Sequence, residues 1–170
     1  MINHTIESED SSIHWPYFNT LNHNVLDLGC GRWYTTKVEE LSPLFFGNTA
    51  NSVVGVDYNE NDIKFYKDQT KDDPKYTFYS SNISSSDQVK ELIKLHSITA
   101  LKCDIEGGEI VLLDLTYDDL KNISELAIEF HSDVLKKAFM KKVIEWGFNI
   151  KAVANFARTP DYMGVIFCSK

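Results

Sequence analysis

Three carboxylates crowd one short stretch of the chain, Asp104, Glu106 and Glu109, with Gly107 and Gly108 between the last two. They follow the apolar run Ile98 to Cys103, which reads as a strand, so they gather at a strand mouth. Such a cluster is costly unless it faces water, a cation or a positively charged ligand. A second stretch, Val25-Leu26-Asp27-Leu28-Gly29-Cys30-Gly31, runs a buried strand directly into a glycine turn. Gly29 and Gly31 let the backbone fold sharply and approach a ligand with no Cβ between them. Where a dinucleotide fingerprint needs its last glycine the chain has Tyr34, so neither a pyrophosphate cradle nor a Walker loop can be built here. In Gly55-Val56-Asp57-Tyr58-Asn59, Asp57 stands at a strand end, where a carboxylate can accept bonds from both hydroxyls of a ribose; Asn59 is the better helix cap. After the next strand, the amide of Asn82, beside Ser81, can pair with a purine edge. His131, at the exit of a further strand, is the candidate general base because an unperturbed imidazole titrates near neutrality.

These residues need a scaffold that brings strand ends together. Strands are expected at 24–28, 52–57, 76–80, 98–104, 125–130, 148–154 and 162–168, with helices near 36–43, 59–70, 86–96, 108–113 and 133–146. The last helix is the clearest: Leu135, Phe139, Val143 and Trp146 recur at helical spacing and Gly147 ends it. The alternation of β-branched runs with amphipathic stretches predicts a doubly wound α/β fold around a mostly parallel sheet. Only a turn through Ala157, Arg158, Thr159, Pro160 and Asp161 separates the final two strands, which makes them an antiparallel hairpin. Residues 1–23, acidic and then aromatic at Trp15, Tyr17 and Phe18, read as an N-terminal arm before a single domain over 24–170.

At 170 residues the chain has room for little beyond that domain, and a net charge of −8 is the wrong sign for gripping a phosphate backbone, so nucleic-acid binding is not expected. The N-terminal sequence has neither the basic region nor the apolar stretch of a signal peptide, and no run is long enough to span a membrane; a cytoplasmic location is expected. Cys30, Cys103 and Cys168 are odd in number and widely spaced, as reduced thiols are.

The parallel units closed by an antiparallel hairpin resemble class I methyltransferases, which use S-adenosylmethionine, and Val25 to Gly31 has their glycine-turn form. The stretch Lys102-Cys103-Asp104-Ile105-Glu106-Gly107-Gly108-Glu109 is similar to the K-I-D-V-E-G-x-E signature of the FkbM family, and Ile128-Glu129-Phe130-His131 to the I-E-x-H after that family's next strand. The glycine turn departs from the family, where it more often reads G-A-N-x-G, and Trp33 replaces a third glycine common among methyltransferases. The resemblance implies an S-adenosylmethionine site at Asp27, Gly29, Cys30, Gly31, Asp57, Tyr58, Ser81, Asn82 and Asp104. It also implies methyl transfer to oxygen of a small or carbohydrate-like acceptor, with Asp104, Glu106 and His131 as catalytic residues. Asp104, Glu106 and His131 are alternatively the ligand set of a magnesium or manganese ion; the metal-free arrangement is preferred. Two other readings are a cofactor-binding module without catalysis and a nicotinamide-dependent oxidoreductase, the latter disfavoured by the hairpin and Tyr34.

Overall fold

The computed structural model describes residues 2–6, 15, 17–32, 37–71, 73–156 and 163–170. Eight strands, β1 (Ile2–Ile6), β2 (Asn24–Leu28), β3 (Ser52–Asp57), β4 (Tyr76–Ser80), β5 (Ala100–Cys103), β6 (Glu125–Phe130), β7 (Asn149–Phe156) and β8 (Gly164–Ser169), form one sheet. Four α-helices accompany them: α1 (Ser42–Gly47), α2 (Glu60–Thr70), α3 (Ser86–Leu95) and α4 (Asp133–Glu145). The strand order is β1-β7-β8-β6-β5-β2-β3-β4. β8 is antiparallel to both its neighbours, and every other pairing is parallel. The seven strands expected from the sequence all form, and β1 adds an eighth at the β7 edge.

Strand alternation gives this sheet two apolar faces. Val25, Val53, Ala100, Ala127, Val165 and Phe167 point to one side, where α1 contributes Phe46. Leu26, Leu28, Val54, Val56, Leu101, Leu126 and Ile128 point to the other, covered by Val89 and Ile93 of α3 and Phe139 and Val143 of α4. A strand apolar on both faces needs helices on both, which is why a parallel sheet results. The ends of the helices are set locally. Asn59 accepts from the Asn61 amide at 3.0 Å to start α2, Ser132 accepts from Leu135 at 3.1 Å to start α4, and Gly147, at φ +80°, follows the end of α4.

Three local readings change. The helix expected near 108–113 is a 3-10 helix, Glu109–Asp114, and the one near 36–43 becomes a 3-10 turn, Val38–Glu40, followed by α1 with Pro43 in its first turn. The segment read as an arm is part of the fold: residues 2–6 are β1, and Trp15 and Phe18 are buried beside Phe46 and Phe167. The turn through 157–161, and Trp33 and Tyr34, lie outside the described residues. Among the described residues, no helix is long and apolar enough to cross a membrane.

Candidate functional site

From β2 the chain goes to β3 on one side, while β5 pairs on the other, so the sheet order reverses between β2 and β5. Loops leaving the two strands diverge there and open a crevice beyond their carboxyl ends. A cavity of about 460 Å³ occupies that place, within the range of small-molecule sites, roughly 300–1,000 Å³. Its walls are the strand ends: Gly29 and Gly31 after β2, Asp57 and Tyr58 at the end of β3, Ser81 and Asn82 after β4, and Asp104 and Glu106 after β5.

The glycine turn is fitted to the β5 loop. Gly29 has φ +75°, and a methyl group on it would run into the Asp104 carbonyl oxygen. The Asp104 amide in turn donates to Leu28 at 2.9 Å. A Cβ on Gly31 would sit 2.9 Å from an Asp57 carboxylate oxygen, so the turn backbone at Gly31 lies close against that carboxylate, while Gly29 is required by both its dihedral and its close approach. Asp57 accepts from the Asn59 amide at 2.8 Å, which fixes its carboxylate. Burial pushes that carboxyl above the usual range, in opposition to the amides of Asn59 and Gly31.

Two of the expected cofactor contacts fall elsewhere. Asp27 is fully buried beneath the turn and does not reach the cavity: its Oδ1 pairs with Lys102 at 2.9 Å and its Oδ2 accepts from the Ser42 hydroxyl at 2.6 Å. Alternation decides this, because Asp27 shares a face with Val25 and stands opposite Lys102 in the register. Cys30 is also wholly buried, its side chain packed with Leu41, Ile63, Tyr66 and Phe78, and burial first, then Asp27, pushes its thiol up. Only its backbone belongs to the turn.

Beside the cavity, Asp104, Glu106 and His131 converge, with one ligand atom from each lying within 4.8 Å of the others. Glu106 adopts φ +47°, a conformation disfavoured for a residue with a Cβ, and lines the cavity with a half-exposed side chain. His131 Nε2 is 3.5 Å from Glu106 Oε2 and 3.5 Å from Glu129 Oε1. Its Nδ1 is 2.9 Å from Oε1 of Glu109, a carboxylate with no exposed surface. Contact with Glu109 raises the imidazole pKa, against the effect of burial, and Glu106 and Asp104 add to the rise. Burial would raise Glu109, but His131 and the backbone amides of Glu109 and Gly107 outweigh it and hold that carboxyl low. Burial and the adjacent Asp104 push Glu129 up.

Several contributors have no site role in the sequence reading. Lys102 is buried and donates to the Gly29 carbonyl at 2.7 Å, tying β5 to the glycine turn. Its signal was a charge inside an apolar strand, which demands a buried counter-charge. Arg32 and Asp62 close one wall of the cavity, paired at 2.7 Å, with the Arg32 amide also donating to Asp62 at 3.1 Å. Arg32 directly follows the glycine turn and Asp62 lies in the first turn of the helix after Asp57, positions that pointed to the same crevice.

No family model matches this chain, and no curated protein matches it. Among solved structures it is similar to fibrillarin of Aeropyrum pernix in complex with S-adenosyl-L-methionine, at 11% identity and TM-score 0.62, over 88% of this chain and 67% of that one. It is similar to the Streptococcus mutans protein SMU.1697c in complex with SAH, at 12% identity and TM-score 0.58, over 90% and 91%. An rRNA methylase from Streptococcus thermophilus matches at 13% identity and TM-score 0.58, over 91% and 89%. At these identities the likeness is one of fold, and the fold is α/β and Rossmann-like, the sheet with a terminal antiparallel hairpin that these methyltransferase structures share.

Proposed function

We propose that this protein is a methyltransferase that uses S-adenosylmethionine. The observation that carries the reading is the cavity at the sheet reversal, which unites the glycine turn, the β3-end carboxylate Asp57 and the β5-end carboxylate Asp104 in one space. Asp57 serves the ribose hydroxyls, Ser81 and Asn82 the adenine, and the bare backbone of Gly29 and Gly31 lets the nucleoside lie against the turn. The acid-rich rim suits a ligand carrying a sulfonium and an ammonium. Complexes of structures with the same fold with S-adenosyl-L-methionine and SAH support the assignment.

Methyl transfer is an in-line displacement: the acceptor oxygen bonds to the methyl carbon as the sulfur–carbon bond breaks, leaving S-adenosylhomocysteine. The enzyme mainly aligns donor and acceptor and excludes water. The acceptor's hydroxyl proton leaves to the cluster of Asp104, Glu106 and His131, in which His131 is the base expected from the sequence. The FkbM resemblance supports the oxygen of a small or carbohydrate-like acceptor. RNA is named for the rRNA methylase among the similar structures, yet a charge of −8 and an acidic rim oppose a phosphate backbone.

Calorimetry with S-adenosylhomocysteine tests the reading. Wild type is expected to bind, and Asp57→Ala to bind at least about tenfold more weakly, the worth of one hydrogen bond to a charged group. No binding by folded wild type, or unchanged affinity in Asp57→Ala, overturns it. His131→Ala is expected to keep its affinity for S-adenosylhomocysteine and to lose turnover once an acceptor is in hand. Binding with no methylation of any acceptor would leave a cofactor-binding module in place of an enzyme.

A further inference from the structure

We propose that Asp104, Glu106 and His131 form a binding site for a divalent cation of the magnesium or manganese class, placed at the acceptor end of the cavity. The inference rests on the proposed function and changes the part played by His131, whose Nε2 binds the cation instead of a proton, the acceptor's hydroxyl proton then leaving to solvent water.

Geometry carries the proposal. Two ligands on opposite sides of an ion bound at about 2.1 Å are about 4.2 Å apart. The three donor atoms here, all within 4.8 Å of one another, close on such an ion with sub-ångström movement. Two carboxylates and one imidazole are donors for magnesium or manganese, whereas no thiolate takes part to favour a softer metal.

A buried, unsatisfied atom points to a ligand. Asp104 is only 7% exposed, it lines the cavity, and its Oδ1 is buried without a hydrogen-bond partner. Lys102 lies 3.7 Å from the other oxygen, Oδ2. A buried carboxylate oxygen with no partner is costly, and a cation at the cluster satisfies it.

The imidazole is prepared for the same task. Glu109, fully buried, stands 2.9 Å from Nδ1, which leaves Nε2 on the side of Glu106, 3.5 Å from its Oε2. A carboxylate behind a histidine in this way fixes the tautomer and strengthens the ligand in metal sites. Without a cation, Nε2 and the two carboxylates converge with only the ring's own proton to share. With one, the positions left open face the cavity, where oxygens of an acceptor complete the coordination. Acceptors with two adjacent oxygens, such as a vicinal diol, fit that arrangement best.

Manganese chloride is the probe, titrated into the folded, metal-stripped protein and followed by calorimetry and by the electron paramagnetic resonance signal of free Mn²⁺. One site is expected. His131→Gln and Asp104→Asn are expected to lose it, and Glu109→Gln to weaken it about ten- to hundredfold, the usual effect of removing a supporting carboxylate. Asp57→Ala is expected to bind Mn²⁺ as the wild type does. Circular dichroism establishes that each variant is folded, and Glu106→Gln, at an exposed side chain, provides a further variant if Asp104→Asn is not. No saturable site below millimolar Mn²⁺, or equal affinity in His131→Gln, overturns the proposal and leaves an imidazolium paired with its carboxylates. S-adenosylhomocysteine binding without Mn²⁺ binding rejects the cation site alone; Mn²⁺ binding without S-adenosylhomocysteine binding rejects the methyltransferase reading alone.

Discussion

Lys102 and Asp27 stand opposite each other in the β2–β5 register and pair at 2.9 Å, with 2% and 0% of their side-chain surfaces exposed. Burial opposes the lysine charge, but Asp27 and Asp104 outweigh it and hold the ammonium firmly protonated. The same ammonium bonds the Gly29 carbonyl and lies 5.1 Å from the centre of the Trp15 ring. The pair is therefore a fastener that holds the glycine turn to the central strands.

Removing one partner leaves an uncompensated buried charge. Lys102→Met is expected to lower unfolding free energy by about 3–5 kcal/mol, and the double variant with Asp27→Leu to recover part of that loss. Urea denaturation of the three proteins provides the comparison, and equal stability of Lys102→Met and wild type contradicts the role given to the pair.

Gly29→Ala places a methyl where the Asp104 carbonyl oxygen stands, on a backbone at φ +75°. The strained dihedral alone costs about 1–2 kcal/mol. The clash adds to it and pushes apart the β2 and β5 loops. The expected result is a less stable protein whose S-adenosylhomocysteine affinity falls even at temperatures where it is folded. An unchanged calorimetric constant contradicts the close fit of turn and loop.

Trp15 is 6% exposed and meets Phe46 and Phe167 edge-on, with centroids at 6.2 and 6.3 Å. Trp15→Ala is expected to destabilise by about 3–5 kcal/mol, as deletion of a buried aromatic does. A loss below about 1 kcal/mol would return this segment to the status of an arm.

His96, which does not line the cavity, offers a pH readout. Burial lowers its pKa, and Nε2 lies 2.9 Å from the Tyr79 hydroxyl. The folded state thus favours the neutral ring. Its contribution to stability is present above the pKa of a free imidazole, about 6.5, and is lost as pH falls through the lower folded value. An NMR titration of His96 should give a midpoint below that of a free imidazole; a midpoint at or above it contradicts the assignment.

Much of this protein was legible in order. Apolar strands that recur between amphipathic stretches require a sheet covered on both faces, and the short stretch between β7 and β8 requires antiparallel pairing. Those are local consequences of side-chain periodicity, and they place Gly29, Asp57, Asn82 and Asp104 at parallel strand ends. Periodicity along one strand does not say what lies across it. Asp27 looked like a rim residue because it precedes the glycine turn; its burial follows from Lys102, which is far away in sequence and adjacent only once β2 and β5 pair. Nor did spacing alone separate Glu109 from Glu106. The first is buried behind His131 and the second faces solvent, because the positive φ at Glu106 and the 3-10 helix after Gly108 send the two carboxylates in different directions. The chain by itself determined seven of the eight strands and the three longer helices, while β1 and the 3-10 segments came only with the fold. Only the tertiary structure decided which charges meet, because a counter-charge is chosen by distance across strands, and that distance exists only in the folded sheet.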